Sequence, residues 1–171
     1  MLYLLDANTL IDAKRDYFQF GRVPEFWEWM QHQGEIGNVK VAIEIYEEFV
    51  EARNSDGNRD ELSEWAARPE IREAILLREE VDPRIVAEVI KVGYANDLTD
   101  DEIVKIGRDP FLIAYAFSDV TARTIVSTEV SKPSRKRANR RVPDVCRDLG
   151  IRCINNFTLL KELDFKTGWR G

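Results

Sequence analysis

The chain opens with an apolar run, Leu2–Leu5, that ends abruptly at Asp6. A continuous run of this kind, bounded by a polar turn, is typical of a strand buried on both faces in a parallel sheet. Asn8 and Thr9 supply that turn and a cap for a following helix. Because sites in open parallel sheets form beyond the carboxyl ends of the strands, Asp6 lies where a catalytic or metal-binding carboxylate is expected. The simpler alternative is that Asp6 only forms a turn or caps a helix.

The remaining apolar and polar positions alternate between strand and helix patterns. Further strands are predicted at Val39–Ala42, Thr124–Thr128 and Arg152–Asn155. Helices are predicted at Leu10–Phe18, Pro24–Gln33, Ile43–Val50, Leu62–Ala67, Pro69–Glu79, Pro83–Tyr94, after the capping box Thr99–Glu102, after Asp109 as N-cap, and at Phe157–Leu163. This alternation predicts an α/β fold with a central, mainly parallel sheet of four to five strands. We expect one domain over residues 1–165, with a helical insertion at about 53–106 and a flexible tail at 166–171.

The amino-acid composition limits which classes of protein this chain can belong to. The 171 residues are 44% hydrophobic and 33% charged, which is typical of one soluble globular domain. No run approaches the roughly 18 apolar residues of a membrane span, and Asp6 interrupts the N-terminus before it could serve as a signal peptide. Cys146 and Cys153 are therefore expected to be a reduced pair in the cytoplasm. A single histidine, His32, leaves too little for a His-based metal site or a Ser-His-Asp triad.

The charge is unevenly distributed along the chain. Residues 131–141 contain six basic residues and no acidic ones. Since the net charge of the whole chain is −6, the other residues together carry a charge of −12. A net negative charge argues against a generic basic nucleic-acid binder. The basic segment could nevertheless contact a phosphate backbone, lie as a solvated loop, or bind an acidic partner.

Four carboxylates are expected to meet at one edge of the sheet. Asp6, Asp109 and Glu129 lie at or beside strand ends or helix starts, and Glu48 lies on the helix after the second strand. Capping alone would explain Asp109, and a solvated helix face would explain Glu48. Together, four such groups could not stay ionised without cations, and clustered oxygen ligands hold Mg²⁺ or Mn²⁺. Such ions hydrolyse phosphodiesters.

Three segments resemble the acidic motifs of PIN-domain ribonucleases. The first is Tyr3–Asp12, the second Asp109–Ala116, and the third Ile125–Glu129. Ile45–Phe49, Val142–Cys146 and Cys153–Phe157 are similar to a PilT N-terminus (VapC-like) subgroup of that family. The resemblance spans most of the chain and is weakest over residues 53–100.

This resemblance implies a three-layer α/β/α fold and Mg²⁺- or Mn²⁺-dependent cleavage of RNA, with 5′-phosphate and 3′-hydroxyl products. Asp6, Glu48, Asp109 and Glu129 would form the acidic metal site, with Glu44 as an alternative to Glu48. Asn8 would orient the first ligand, and Ser127 or Thr128 would hydrogen-bond the substrate or a water. The RNA backbone would be bound by Lys132, Arg135, Arg137 and Arg140. Many relatives are toxins, so a small antitoxin protein is the expected partner, with a homodimer left open.

Two features depart from the family pattern and leave other functions open. Glu129 stands where Asp is usual, and Ser127 where Thr is usual. The longer Glu129 would loosen a second metal, which favours a PIN fold that only binds RNA or a protein partner. A haloacid-dehalogenase-like phosphatase is a further alternative, since Asp6-Ala-Asn-Thr9 approaches its Asp-x-Asp-x-Thr motif. Asn8 argues against it, because an amide cannot act as the required general acid.

Overall fold

Four parallel strands form the centre of the protein, described here by a computed structural model over residues 1–170. They are β1 (Leu2–Leu5), β2 (Val39–Lys40), β3 (Arg123–Val126) and β4 (Arg152–Ile154). The strand order is β2-β1-β3-β4, with every pair parallel. Helices flank this sheet in a three-layer α/β/α arrangement, which confirms the predicted fold class.

Within residues 1–170, ten α-helices connect and cover the strands. They are α1 (Ala7–Asp12), α2 (Pro24–Glu35), α3 (Ile43–Val50), α4 (Glu61–Ala67), α5 (Pro69–Ile75), α6 (Pro83–Val89), α7 (Asp100–Ile106), α8 (Asp109–Phe117), α9 (Val142–Asp148) and α10 (Asn156–Glu162). Two of them continue as π-helical turns, α1 through Ala13–Tyr17 and α6 through Ile90–Tyr94. Of the residues described, no helix combines the length and the apolar content needed to cross a membrane.

The core lies between the sheet and its helices. Leu4 and Leu5 of β1 are fully buried, as expected for a central strand covered on both faces. Helix α8 contributes Leu112, Ile113 and Ala114, also fully buried, against β3. The small side chain at position 114 allows this helix to pack closely on the sheet. The packing places the N-terminus of α8, and hence Asp109, near the ends of the strands.

Several element boundaries differ from the sequence prediction, and three of these differences lie close to the acidic residues. Helix α1 begins at Ala7 rather than Leu10, because Asp6 has the extended conformation of an N-cap residue. Asp109 is the first residue of α8 and not its N-cap, which is Arg108. Strand β3 ends at Val126 rather than at Thr128, since its neighbour β1 ends at the paired residue and offers no further ladder partner.

The predicted helical region between β2 and α8 is present. A polar loop, closed by a single antiparallel β-bridge between the backbones of Arg53 and Arg59, leads into α4. Helices α5, α6 and α7 follow. The capping box is confirmed: the Thr99 hydroxyl accepts from the Glu102 N–H, and the Glu102 carboxylate accepts from the Thr99 N–H. At the other end of the chain, Trp169 stacks on His32 of α2, with ring centroids 4.9 Å apart. Position 171 of the predicted tail lies outside the described residues.

Candidate active site

The register of β1 and β3 brings Asp6 and Ser127 together at one edge of the sheet. Leu5 pairs with Val126, so the residue that follows each strand lies beside the other. The Asp6 N–H donates to the Val126 carbonyl oxygen over 2.9 Å, and the Ser127 hydroxyl donates to the Asp6 carboxylate over 2.7 Å. Asp6 is 4% exposed. The carboxylate is therefore held in one orientation.

A cavity of about 480 Å³ opens beside this pair. We call it the sheet-edge cavity. It is lined by Asn8, Glu48, Tyr94, Lys105, Ile106, Gly107, Arg108, Asp109, Glu129, Arg135, Ala138, Asn139, Arg140 and Arg141. Three of the four predicted acids thus line one cavity, with Asp6 buried next to it.

Burial and neighbouring negative charges raise the pKa values of three of these carboxyl groups. The pKa of Asp109 is raised from 3.8 to about 8, first by burial and then by the negative charges of Asp6, Glu129 and Glu48. Burial also raises the pKa of Asp6, with a further contribution from Glu129, while the hydrogen bond from Ser127 opposes the rise. Burial and the charge of Asp6 raise the pKa of Glu48, and Arg108 lowers it. These shifts indicate an excess of negative charge that a cation would relieve.

The donor set fits a hard divalent cation, but the carboxylates are not gathered around one point. Within residues 1–170, no three His, Cys, Asp or Glu side chains are arranged to hold a metal ion. One reason is Glu129, whose carboxylate accepts from Arg141 at 2.7 Å and from the Val142 N–H at 2.8 Å. Asp6, Glu48 and Asp109 form no ion pair with any described residue, although one Asp6 oxygen accepts from Ser127, so a cation would be their counter-charge.

Glu44 and Glu48 lie one helical turn apart on α3 but line different cavities. Glu48 lines the sheet-edge cavity and interacts with Asp6. Glu44 lines a second cavity, where it lies beside Tyr115. Arg108 separates them, because its guanidinium binds the Glu44 carbonyl oxygen and the Glu47 carboxylate. This placement favours Glu48 as the second acid.

The predicted substrate-orienting side chains have different surroundings. Asn8 is exposed and lines the cavity, so its amide can reach a ligand. Ser127 is buried and bonded to Asp6, and it also accepts from the Glu129 N–H at 3.2 Å. The Thr128 hydroxyl donates to Asp12 over 2.6 Å and does not line the cavity. Ser127 therefore acts on the acids rather than directly on a ligand.

Of the predicted RNA-binding side chains, some are exposed and others are hydrogen-bonded to groups of the protein. Lys132 and Arg135 have exposed side chains, and Arg135 lines the cavity. Arg137 donates to Asp97 and Glu102 over 2.7 Å each. Arg140 also lines the cavity, but its guanidinium binds the Gly93 and Asp144 carbonyl oxygens and the Asp148 carboxylate. Arg137 and Arg140 thus hold the basic segment in place.

The sequence did not identify several basic residues and one tyrosine of the cavity. Lys105, Arg108 and Arg141 line it together with the acids. Arg141 belongs to the basic segment and could have been included on that ground. Tyr94 is 7% exposed, and its hydroxyl oxygen has no hydrogen-bond partner among the described residues. Nothing in the local pattern distinguishes it, because its position depends on the π-helical turn that ends there.

Comparisons with known proteins give a family but no activity. The sequence profile of a family described as "Domain of unknown function (DUF4411)" matches residues 3–167. No curated protein and no solved structure matches the chain.

Proposed function

Since this chain belongs to the DUF4411 family, whose description names no activity, we propose from its site and its sequence motifs that it is a metal-dependent endoribonuclease that acts in the cytoplasm. The observation that supports the proposal most is that Glu48, Asp109 and Glu129 line one cavity. Burial and the neighbouring acids also raise the pKa of Asp109 to about 8. Perturbed acids of this kind concentrate at catalytic and metal sites. The resemblance to PIN-domain motifs points to the same chemistry.

Asp6, Glu48 and Asp109 would hold Mg²⁺ or Mn²⁺, with Glu129 next to them. When bound, the ion would activate water for in-line attack on phosphorus and stabilise charge on the leaving oxygen. The hydrogen bond from Ser127 fixes the orientation of the Asp6 carboxylate. That pre-organisation lowers the cost of placing the ligand correctly.

The basic side of the cavity would bind the RNA backbone. Lys105, Arg135 and Arg141 line the same space as the acids, and phosphate oxygens are the natural ligands of such side chains. Exposed Lys132 extends this surface. A cavity lined by both acids and bases suits a phosphodiester, because the bases attract the anion towards acids that need a cation to receive it. Binding by these side chains would weaken as the salt concentration rises.

As a toxin, the protein would be neutralised by a small antitoxin. The support for this role is the VapC-like pattern of the sequence. Growth arrest upon expression, reversed by a small protein encoded next to it, is the expected behaviour. Normal growth would favour a role in ordinary RNA processing. A homodimer remains an alternative assembly.

Cleavage of a labelled RNA tests the proposed reaction. We expect products with 5′-phosphate ends in Mg²⁺ or Mn²⁺, no cleavage in EDTA, and a loss of roughly 10²-fold or more in Asp6→Ala. Asp101→Asn, which changes an exposed acid of α7, is the matched control and should cleave normally. Cleavage in EDTA, or full activity of Asp6→Ala, would overturn the mechanism.

One observation supports a second function, a module that binds RNA or a protein without turnover. The Glu129 carboxylate is occupied by Arg141 and the Val142 N–H, which leaves three acids for a cation. Such a module would bind RNA in gel-shift or anisotropy measurements and give no cleavage in any divalent ion.

A further inference from the structure

A second cavity, of about 390 Å³, shares no lining residue with the sheet-edge cavity. We call it the α3–α8 groove. It is formed by the first turn of α3, the segment from residue 79 to α6, and one face of α8. Ile43, Val81 and Phe111 provide an apolar wall, and all three are only partly buried by the rest of the protein. The groove thus offers apolar surface to a ligand.

The polar groups of the groove are acidic. Glu44, Glu79 and Glu80 line it, and none of its lining residues is Lys or Arg. Glu79 has a partner, since Arg123 donates to it over 2.7 Å. Glu80 forms no ion pair within residues 1–170 and is exposed. The groove therefore has a negative potential that its own residues do not neutralise.

One carboxylate oxygen in the groove lacks a donor. Oε2 of Glu44 is buried, yet it has no hydrogen-bond partner among the described residues. It lies beside the Tyr115 hydroxyl, which itself donates to the Glu79 carbonyl oxygen over 3.0 Å. Arg108 binds only the backbone oxygen of Glu44 and not its carboxylate. A buried acceptor without a donor is unfavourable, and because Glu44 also lines the groove, a cation bound there would compensate its carboxylate.

We propose that the α3–α8 groove binds a segment of another protein that presents a Lys or Arg side chain between apolar residues. The cationic head would reach the Glu44 carboxylate, and Glu80 would supply a second charge at the rim. The apolar wall requires apolar neighbours around that cation, which a free small cation lacks. A second copy of this chain is a poorer match, because Arg137 and Arg140 of its basic segment already bind its own acids. The proposal does not depend on the reaction at the sheet-edge cavity.

Binding of short labelled peptides to the full chain tests this surface. The probe is a series of seven-residue peptides with a central arginine and with leucine, isoleucine or phenylalanine on each side. Fluorescence anisotropy gives affinity, and NMR shifts locate the contact. We expect members of the series to bind, with shifts at Ile43 and Phe111. Replacing arginine by uncharged citrulline should weaken binding roughly tenfold or more.

Variants distinguish peptide binding in the groove from a general attraction of the peptide to negative charge. Glu44→Gln and Glu80→Gln should each weaken peptide binding, while Glu70→Gln, an exposed acid on α5, should not. RNA cleavage by Glu80→Gln should stay at the wild-type level, so that failure of this proposal is distinguishable from failure of the nuclease proposal. Equal binding of the citrulline peptide, shifts elsewhere, or no binding across the series would overturn the proposal. Equally tight binding of free arginine or spermidine would show a small-cation site instead.

Discussion

The carboxyl group of Asp109 is partly buried and lies close to the negative charges of Asp6, Glu129 and Glu48. Its raised pKa means that the folded protein binds a proton there more tightly than the unfolded chain does. The stability that this proton contributes is fully present below the unfolded pKa of 3.8 and is lost as the pH rises through about 8. At the residue scale, the site is therefore maintained at a cost to folding, as expected for a functional position.

Removing that charge should stabilise the protein in the absence of divalent ions. We expect Asp109→Asn to raise the melting temperature at pH 8 by roughly 3–8 °C, or about 1–3 kcal/mol, with a smaller gain at pH 5. Differential scanning calorimetry in EDTA measures the effect. Asp101→Asn, at an exposed position, should leave the melting temperature nearly unchanged at both pH values. A lower melting temperature for Asp109→Asn at pH 8 would show that this carboxyl group is not strained.

Tyr94 and Tyr46 offer a second comparison at this scale. Both are buried, but the Tyr46 hydroxyl donates to the Ala66 carbonyl oxygen over 2.7 Å, while the Tyr94 hydroxyl has no partner within residues 1–170. Tyr46→Phe should lower the free energy of unfolding by about 1–2 kcal/mol, whereas Tyr94→Phe should not lower it. Urea denaturation measures both. If the Tyr94 hydroxyl contacts RNA, Tyr94→Phe should also bind RNA less tightly. A loss of stability in Tyr94→Phe as large as that in Tyr46→Phe would contradict this view.

At the scale of elements, the helices and strands that could be predicted are those determined by the local pattern of apolar and polar residues. The apolar run of β1, the amphipathic α3 and the apolar α8 are found where periodicity predicted them. The approach of Ser127 to Asp6 follows from parallel pairing alone. What could not be predicted depends on distant residues. The end of β3 is set by the end of β1, and the pairing of Arg137 requires Asp97 and Glu102 from another part of the chain.

Close packing of α2 on α5 is another feature that the sequence did not reveal. A Cβ atom on Gly34 of α2 would lie 2.7 Å from the Ala74 carbonyl oxygen of α5, whereas one on Gly21 would have no atom within 4 Å. Gly34→Ala must therefore push the two helices apart, and we expect a loss of about 1–3 kcal/mol in the free energy of unfolding. Gly21→Ala is the matched control and should change stability by less than about 0.5 kcal/mol. Equal effects of the two substitutions would contradict the helix packing described here.

At the scale of the whole molecule, charge is divided between two surfaces. The sheet-edge cavity combines acids with Lys105, Arg135 and Arg141, which suits an anionic polymer and a cation together. The α3–α8 groove is acidic and apolar, which suits a basic protein segment. Because α3 and α8 contribute to both surfaces, occupation of the groove could alter the position of Glu48 or Asp109. The net charge of −6 describes neither surface.

Binding of Mn²⁺, measured by isothermal titration calorimetry at pH 8, tests most directly whether the acids of the sheet-edge cavity form a metal centre. We expect saturable binding to the wild type, weakened by roughly tenfold or more in Asp109→Asn and unchanged in Asp101→Asn. Affinity should fall between pH 8 and pH 6, because protons then compete for a carboxyl group with a pKa of about 8. Equal Mn²⁺ binding by the wild type and Asp109→Asn, or no binding by either, would contradict the account.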